Sequence, residues 1–112
     1  MKRVDTLKKN YEFRRVYNKG KSGVSALLVV YARPNRLGRN RLGVTVGVKL
    51  GHAVQRNRVR RRLREMYRLA PLKQGYDVVL VARTRSVDAS YGELARAFQK
   101  NCEQLGIWEA RT

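Results

Sequence analysis

GHAVQRNRVRRRLREMYRLA, residues 51–70, carries seven arginines against one carboxylate, Glu65. Its apolar residues Val59, Leu63, Met66, Tyr67 and Ala70 are spaced four, three, one and three positions apart, as on one side of an α-helix. At about 3.6 residues per turn they occupy an arc of roughly 100°. Asn57, Arg61, Arg64 and Arg68 lie opposite, and Arg58, Arg60 and Arg62 flank the arc. The spacing predicts a helix that begins near Ala53, with His52 as an imperfect cap, ends before Pro71, and packs its aliphatic side inward. The outward guanidiniums lack acidic partners one turn away, so they repel one another until a polyanion neutralises them. Arginine donates in pairs to phosphate oxygens and stacks on bases, which lysine does not. A nucleic acid is the polyanion that fits.

The chain of 112 residues is long enough for one domain with an ordinary core. With 26 Lys+Arg against 8 Asp+Glu, a net charge of +18 and pI ≈ 11.3, it binds polyanions in general at low salt, and charge alone does not select RNA over DNA. The single cysteine, Cys102, rules out a disulfide framework within the chain and suits a reducing compartment. No signal peptide, lipidation motif or run of about eighteen apolar residues is visible, so a soluble cytoplasmic protein with no membrane role is expected.

Residues 1–9 read as a basic, extended and flexible arm with Leu7 as its staple. Asn10 is expected to cap a short helix, Tyr11 to Tyr17, stopped by Gly20 in a left-handed conformation. Phe13, Val16 and Tyr17 share one side of it; Phe13 and Tyr17 either fill the core or line a groove where bases stack. Lys19 to Ser25 is a linker or a short edge strand. Ala26 to Arg33 is a strand, Pro34 to Asn40 a turn, and Arg41 to Lys49 a second strand. On the latter, Leu42, Val44, Val46 and Val48 form a core side, and Arg41, Gly43, Thr45, Gly47 and Lys49 an open side. The alternate glycines either admit a ligand, with Tyr31 and Lys49 beside it, or mark bulges or packing beneath a helix. After the basic helix, Asp77 to Arg83 is a buried strand. The strand–helix–strand succession calls for parallel pairing, with Arg83 and Arg85 emerging at the strand's C-terminal end. Ser90 and Glu93 form a capping box for a last helix carrying Tyr91, Leu94, Phe98, Cys102 and Leu105, ended by Gly106, with Trp108 over the core edge.

Catalytic signatures are missing: no paired carboxylates, no Cys/His cluster at metal-ligand spacing and no Gly-rich phosphate loop. Neither protein-borne catalytic residues nor a metal site in the chain is expected.

Leu7-Lys8-Lys9-Asn10 leading to Phe13 and Tyr17-x-x-Gly20, then Lys49-Leu50-Gly51-His52-Ala53-Val54-Gln55-Arg56-Asn57-Arg58-Val59-Arg60-Arg61, resembles the protein subunit of bacterial ribonuclease P across nearly the whole chain. The resemblance implies an α+β fold, an α/β sandwich whose small mixed sheet carries the basic helix as a crossover. It further implies a left-handed βαβ unit, against the usual handedness. It also implies an accessory subunit of an endoribonuclease: the chemistry belongs to a catalytic RNA that holds Mg²⁺, and the protein binds that RNA and the 5′ leader of precursor tRNA. By position, Phe13, Tyr17 and Tyr31 stack on the leader, Lys49 and Arg83 lie near its backbone, and Arg56, Asn57, Arg58, Arg60, Arg61 and Arg64 meet the catalytic RNA. Arg68 joins them from its place on the exposed side. Two positions depart from the family's pattern: His52 stands where a capping asparagine is expected, and Tyr17 where phenylalanine is common.

A ribosomal-type structural RNA-binding protein shares the charge but has no need of an aromatic-lined cleft. A nucleoid-type DNA-binding protein would carry a helix-turn-helix, minor-groove wedge or zinc finger, and none is recognisable.

Overall fold

Parallel pairing of two strands across the basic helix organises the molecule. In the computed structural model, which describes residues 4–109, β3 (Arg41–Thr45) runs parallel to β4 (Tyr76–Ala82), and α2 (Ala53–Leu69) crosses between them. β2 (Leu28–Pro34) pairs antiparallel with β4 on its other side, and β1 (Lys21–Val24) completes a four-stranded mixed sheet in the order β1-β2-β4-β3. Helix α1 (Asn10–Lys19) covers one side of the sheet, and α2 with α3 (Tyr91–Gln104) the other. Alternation along the strands supplies both cores. Leu28, Val30, Leu42, Val78 and Leu80 meet Val59, Leu63 and Met66 of α2 and Leu94, Phe98 and Cys102 of α3. Leu7, Val16 and Val79 form the smaller cluster with Phe13, Tyr17 and Tyr31 beside it. Burial pushes the Cys102 thiol up to about 12, fitting a small core hydrophobe.

The basic helix has the expected inward stripe and start, and its missing cap is made good from within. The His52 side chain caps nothing; Gln55 Oε1 instead accepts from the His52 backbone N–H at 2.8 Å. The Ser90–Glu93 box forms in both directions, at 3.1 and 2.9 Å. Gly106 is left-handed, with φ +74°. Trp108 packs edge-on against Phe98.

Several expectations are corrected. Asn10 is the first residue of α1 and not its cap: Glu12 Oε1 accepts from the backbone N–H of both Lys8 and Lys9, at 2.8 Å each. Gly20 has φ −84°, so handedness does not explain it; a Cβ there would stand 2.5 Å from the Val16 carbonyl oxygen and 2.8 Å from that of Ala32. β2 starts two residues late because Ser25 and Leu28 close a tight turn, with Ser25 donating to the Leu28 carbonyl through both N–H and hydroxyl. β3 stops at Thr45, and a 3-10 turn over Val48–Leu50 leaves Val48 74% exposed instead of on the core side. Tyr91 at the start of α3 is exposed. Residues 5–7 of the arm are held, with Leu42 donating to Asp5 O at 2.8 Å and Leu7 donating to Leu42 O at 2.9 Å. Residues 1–3 lie outside the described residues.

The sequence did not announce the ionic tie that seats α1. Arg41 grips Asp77 with two hydrogen bonds, at 2.9 and 2.8 Å, and gives a third, 2.8 Å, to Glu12. Asn35 donates to the same Asp77 carboxylate at 2.9 Å. Burial pushes Asp77 upward, but Arg41, Asn35 and the nearby Arg33 charge outweigh it and hold the carboxyl below its ordinary range. A carboxyl depressed on folding stabilises the protein above its unfolded value, about 4, and that contribution is lost as pH falls through the folded value. Arg41→Met strands a buried anion and is expected to cost about 3 kcal/mol at neutral pH. Without Arg41 the Asp77 carboxyl rises, so its protonation relieves the penalty, and denaturant titrations should show the gap to wild type narrowing below about pH 5. An equal gap at both pH values would contradict this account of Asp77.

Candidate nucleic-acid interface

On α1, Asn10, Phe13, Arg14 and Tyr17 follow the spacing of one helical stripe, and that stripe overlooks the outer edge of β3. Together with Val44, Thr45 and Val46, and with Arg60 reaching across from α2, they line an open groove of about 720 Å³. Tyr17 is fixed twice: its hydroxyl hydrogen-bonds the Thr45 hydroxyl at 2.9 Å, and Tyr31 abuts its ring edge-on, 5.0 Å between centroids. Phe13 lies flush with β3 because Gly43 has no side chain; a Cβ there would stand 2.5 Å from Phe13 Cε2. Gly43 therefore serves the packing of a helix and not the approach of a ligand, whereas Gly47 has open space around its Cα. Phe13 and Tyr17 each pack on the smaller core and also line the groove.

Of the other residues expected at a cleft, Tyr31 supports Tyr17 from below and does not line the groove. Lys49, in the Val48–Leu50 turn, and Arg83, just after β4, stand where the parallel strands end. Both are exposed, neither lines the groove, and Arg83 donates to Ser25 O at 3.0 Å.

Along α2, Asn57, Arg58, Arg61 and Arg64 are exposed. Among the described residues no carboxylate pairs with Arg61 or Arg64. Arg68 does pair, with Glu65 one turn back at 2.6 Å, but both side chains stay more than a third exposed, so the pair is a weak surface contact that a phosphate can displace. Arg60 donates to Asn57 at 2.9 Å and borders both the groove and the arginine face. Arg62 is turned to structural use, donating to Ala89 O at 2.9 Å. Arg56 is half-buried, and its Nε is enclosed without a partner.

Asn10, Arg14, Thr45 and the double placement of Arg60 were missed from the sequence. The i, i+3, i+4, i+7 stripe of Asn10, Phe13, Arg14 and Tyr17 was the available signal for two of them. Among the described residues no group of three or more His, Cys, Asp or Glu side chains could hold a metal ion, and the Asp77 carboxylate is committed to Arg41 and Asn35. No helix is long and apolar enough to cross a membrane.

This arrangement has known counterparts. The family model described as Ribonuclease P matches residues 1–106. The chain belongs to the ribonuclease P protein family. It is 48% identical over 109 residues to the ribonuclease P protein component of Alkaliphilus oremlandii, covering 96% of each chain. To that of Clostridium botulinum (strain Loch Maree) it is 46% identical over 105 residues, covering 91% of this chain and 95% of the relative. Among solved structures it is similar to the Staphylococcus aureus RNase P protein, with TM-score 0.86, 28% identity, and coverage of 96% of this chain and 100% of that one. The Thermotoga maritima RNase P protein gives TM-score 0.79 at 25% identity, covering 95% and 99%. Ribonuclease P proteins form one component of an endoribonuclease of tRNA processing, and the mixed α+β architecture described above is theirs.

The seat of Phe13 is open to test. Gly43→Ala should push the ring out of its place and destabilise the protein by about 2 kcal/mol in urea titration. An unchanged midpoint would mean that Phe13 reaches its position without the glycine.

Proposed function

We propose that this chain acts in the cytoplasm as the protein subunit of a ribonuclease P holoenzyme, binding the catalytic RNA through α2 and the 5′ leader of precursor tRNA through the groove between α1 and β3. The observation that carries the reading is the continuity of two different surfaces at Arg60: an aromatic groove on one side and a carboxylate-poor arginine face on the other. The groove offers Phe13 and Tyr17 for stacking, each base worth roughly 1–3 kcal/mol, with Arg14 and Arg60 for phosphates. Lys49 and Arg83 would take leader phosphates beyond the groove's end. Arg56, Asn57, Arg58, Arg61, Arg64 and Arg68 would meet the folded RNA, whose phosphates relieve the repulsion along α2.

Cleavage belongs, in this reading, to the RNA subunit and the Mg²⁺ it holds. This chain contributes position and charge: it holds the leader so that the scissile phosphate stays in register, and it neutralises phosphates that would otherwise resist close packing of RNA on RNA. Structured RNA is its partner, in preference to duplex DNA.

Reconstitution tests the whole reading. With the catalytic RNA at low Mg²⁺, the mixture should remove a 5′ leader that neither part removes alone, and no gain over the RNA alone would refute it. Phe13→Ala should weaken binding of precursor tRNA about tenfold while leaving mature tRNA unaffected, in line with the loss of one stacked base. Equal losses for the two RNAs would move the leader elsewhere. Arg61→Ala with Arg64→Ala should lower the slope of log K against log salt by about 1.5 for the catalytic RNA. An unaltered slope would take α2 out of the RNA contact.

A further inference from the structure

The edge of β3 is only half covered. Leu42 turns its N–H and C=O away from β4 and spends both on the arm, at Asp5 O (2.8 Å) and Leu7 N (2.9 Å), so this edge already accepts an extended chain. Backbone direction alternates along a strand, so Arg41, Gly43 and Thr45 bond inward to β4, and Val44, two residues on, turns its N–H and C=O outward as Leu42 does. Past Leu7 the chain leaves for α1. Among the described residues, no backbone or side-chain group takes up the outward pair of Val44, which opens into the groove between Phe13, Tyr17 and Arg60.

We propose that the Val44 backbone N–H and C=O form a nucleobase-edge site that hydrogen-bonds one unpaired base of the strand lying in the groove. A donor and an acceptor side by side on an extended residue match the adjacent donor and acceptor that each base carries on its Watson–Crick edge. A base inside a duplex has spent that edge on its partner. The site therefore selects unpaired nucleotides whatever their sequence, which stacking on Phe13 and phosphate contacts to Arg14 and Arg60 do not do by themselves. The surroundings favour RNA over an extended peptide: two aromatic rings flank the edge, two arginines border it, and the chain carries +18 net charge. The inference deepens the leader-groove reading and rests on it.

Proline is tolerated at a strand edge where the N–H faces outward, and Gly43 before it is already extended, so Val44→Pro deletes the proposed donor while leaving the ladder to β4 intact. Val44→Ala removes the same side chain but keeps the N–H. In the reconstituted holoenzyme, Val44→Pro should bind precursor tRNA roughly five- to tenfold more weakly than Val44→Ala, the loss of one hydrogen bond, and the two should bind leaderless tRNA alike. Amide exchange in the wild-type chain gives a second readout that needs no variant to fold. A single-stranded leader oligonucleotide should slow exchange at Val44, and the same oligonucleotide methylated on its Watson–Crick edges should not. If Phe13→Ala weakens leader binding while Val44 exchange stays unchanged, the base-edge site is refuted and the groove stands. If Phe13→Ala has no effect and Val44 is unprotected, the groove reading falls with it. Slowing of Val44 by an extended peptide but not by leader RNA would likewise overturn the proposal.

Discussion

Parallel strands cannot be joined by a hairpin, and that restriction sets most of what this molecule offers its partners. Because β3 and β4 run the same way, the chain between them has to travel back across the sheet, and α2 makes the journey. Its seventeen residues span about 25 Å at 1.5 Å per residue, and where it crosses the sheet one side must be aliphatic. Val59, Leu63 and Met66 meet that demand, and the arginines are left to the outside. The same pairing puts β3 at the border of the sheet, in the order β1-β2-β4-β3, so that its edge and not merely its surface is available beside α1. The groove and the arginine face are thus two consequences of one connection, which is why Arg60, near the middle of α2, borders both.

What seats α1 beside that edge is a small set of short contacts. Arg41 ties the first turn of the helix, through Glu12, to Asp77 near the start of the inner strand β4. Glu12 meanwhile accepts from the Lys8 and Lys9 amides, which holds it below its ordinary pKa and closes the helix start. A buried ion pair of this kind adds little net stability compared with apolar residues of the same size, but it specifies geometry, because few other arrangements satisfy all three charged groups. At the helix's other end, Gly20 fits closely against the carbonyls of Val16 and Ala32, where a Cβ would clash with both. Gly43 admits the Phe13 ring between these ends. The groove's width is therefore set by backbone contacts and one charge network, and not by flexible side chains.

Periodicity made the elements legible, and tertiary contact decided what it left open. The stripe on α2, the buried run of β4 and the Ser90 box are local patterns, and each forms where it is read. The errors sit where a distant partner intervenes. Asn10 has the chemistry of a cap, but Glu12, held by Arg41 from another strand, takes the role and moves the helix start. Val48 fits the alternation of β3, yet the pairing with β4 ends at Thr45 opposite Val81, and the chain turns and exposes it. Gly20 and Gly43 are glycines for reasons of space that only the folded neighbours reveal. For the site, the aromatics and arginines were legible as types; their division between groove, strand ends and outer helix was not, since it depends on how α1 crosses the sheet.

Charge and shape divide the recognition problem between them. A protein with +18 net charge attracts any polyanion, and that attraction, being a matter of counterions released, fades steeply as salt rises. Such attraction would bring RNA to the surface without saying which part of the RNA belongs where. Discrimination has to come from contacts that a duplex cannot make, and the groove supplies the conditions for them: rings fixed in place by Thr45, Tyr31 and Gly43, in a channel bounded by backbone. A ring already immobilised loses little further freedom when a base stacks on it, so more of the stacking energy survives as affinity. On the proposed reading, the rigidity built into the seat of α1 is part of the binding function, and the long-range field and the short-range groove would act on the same RNA at different distances.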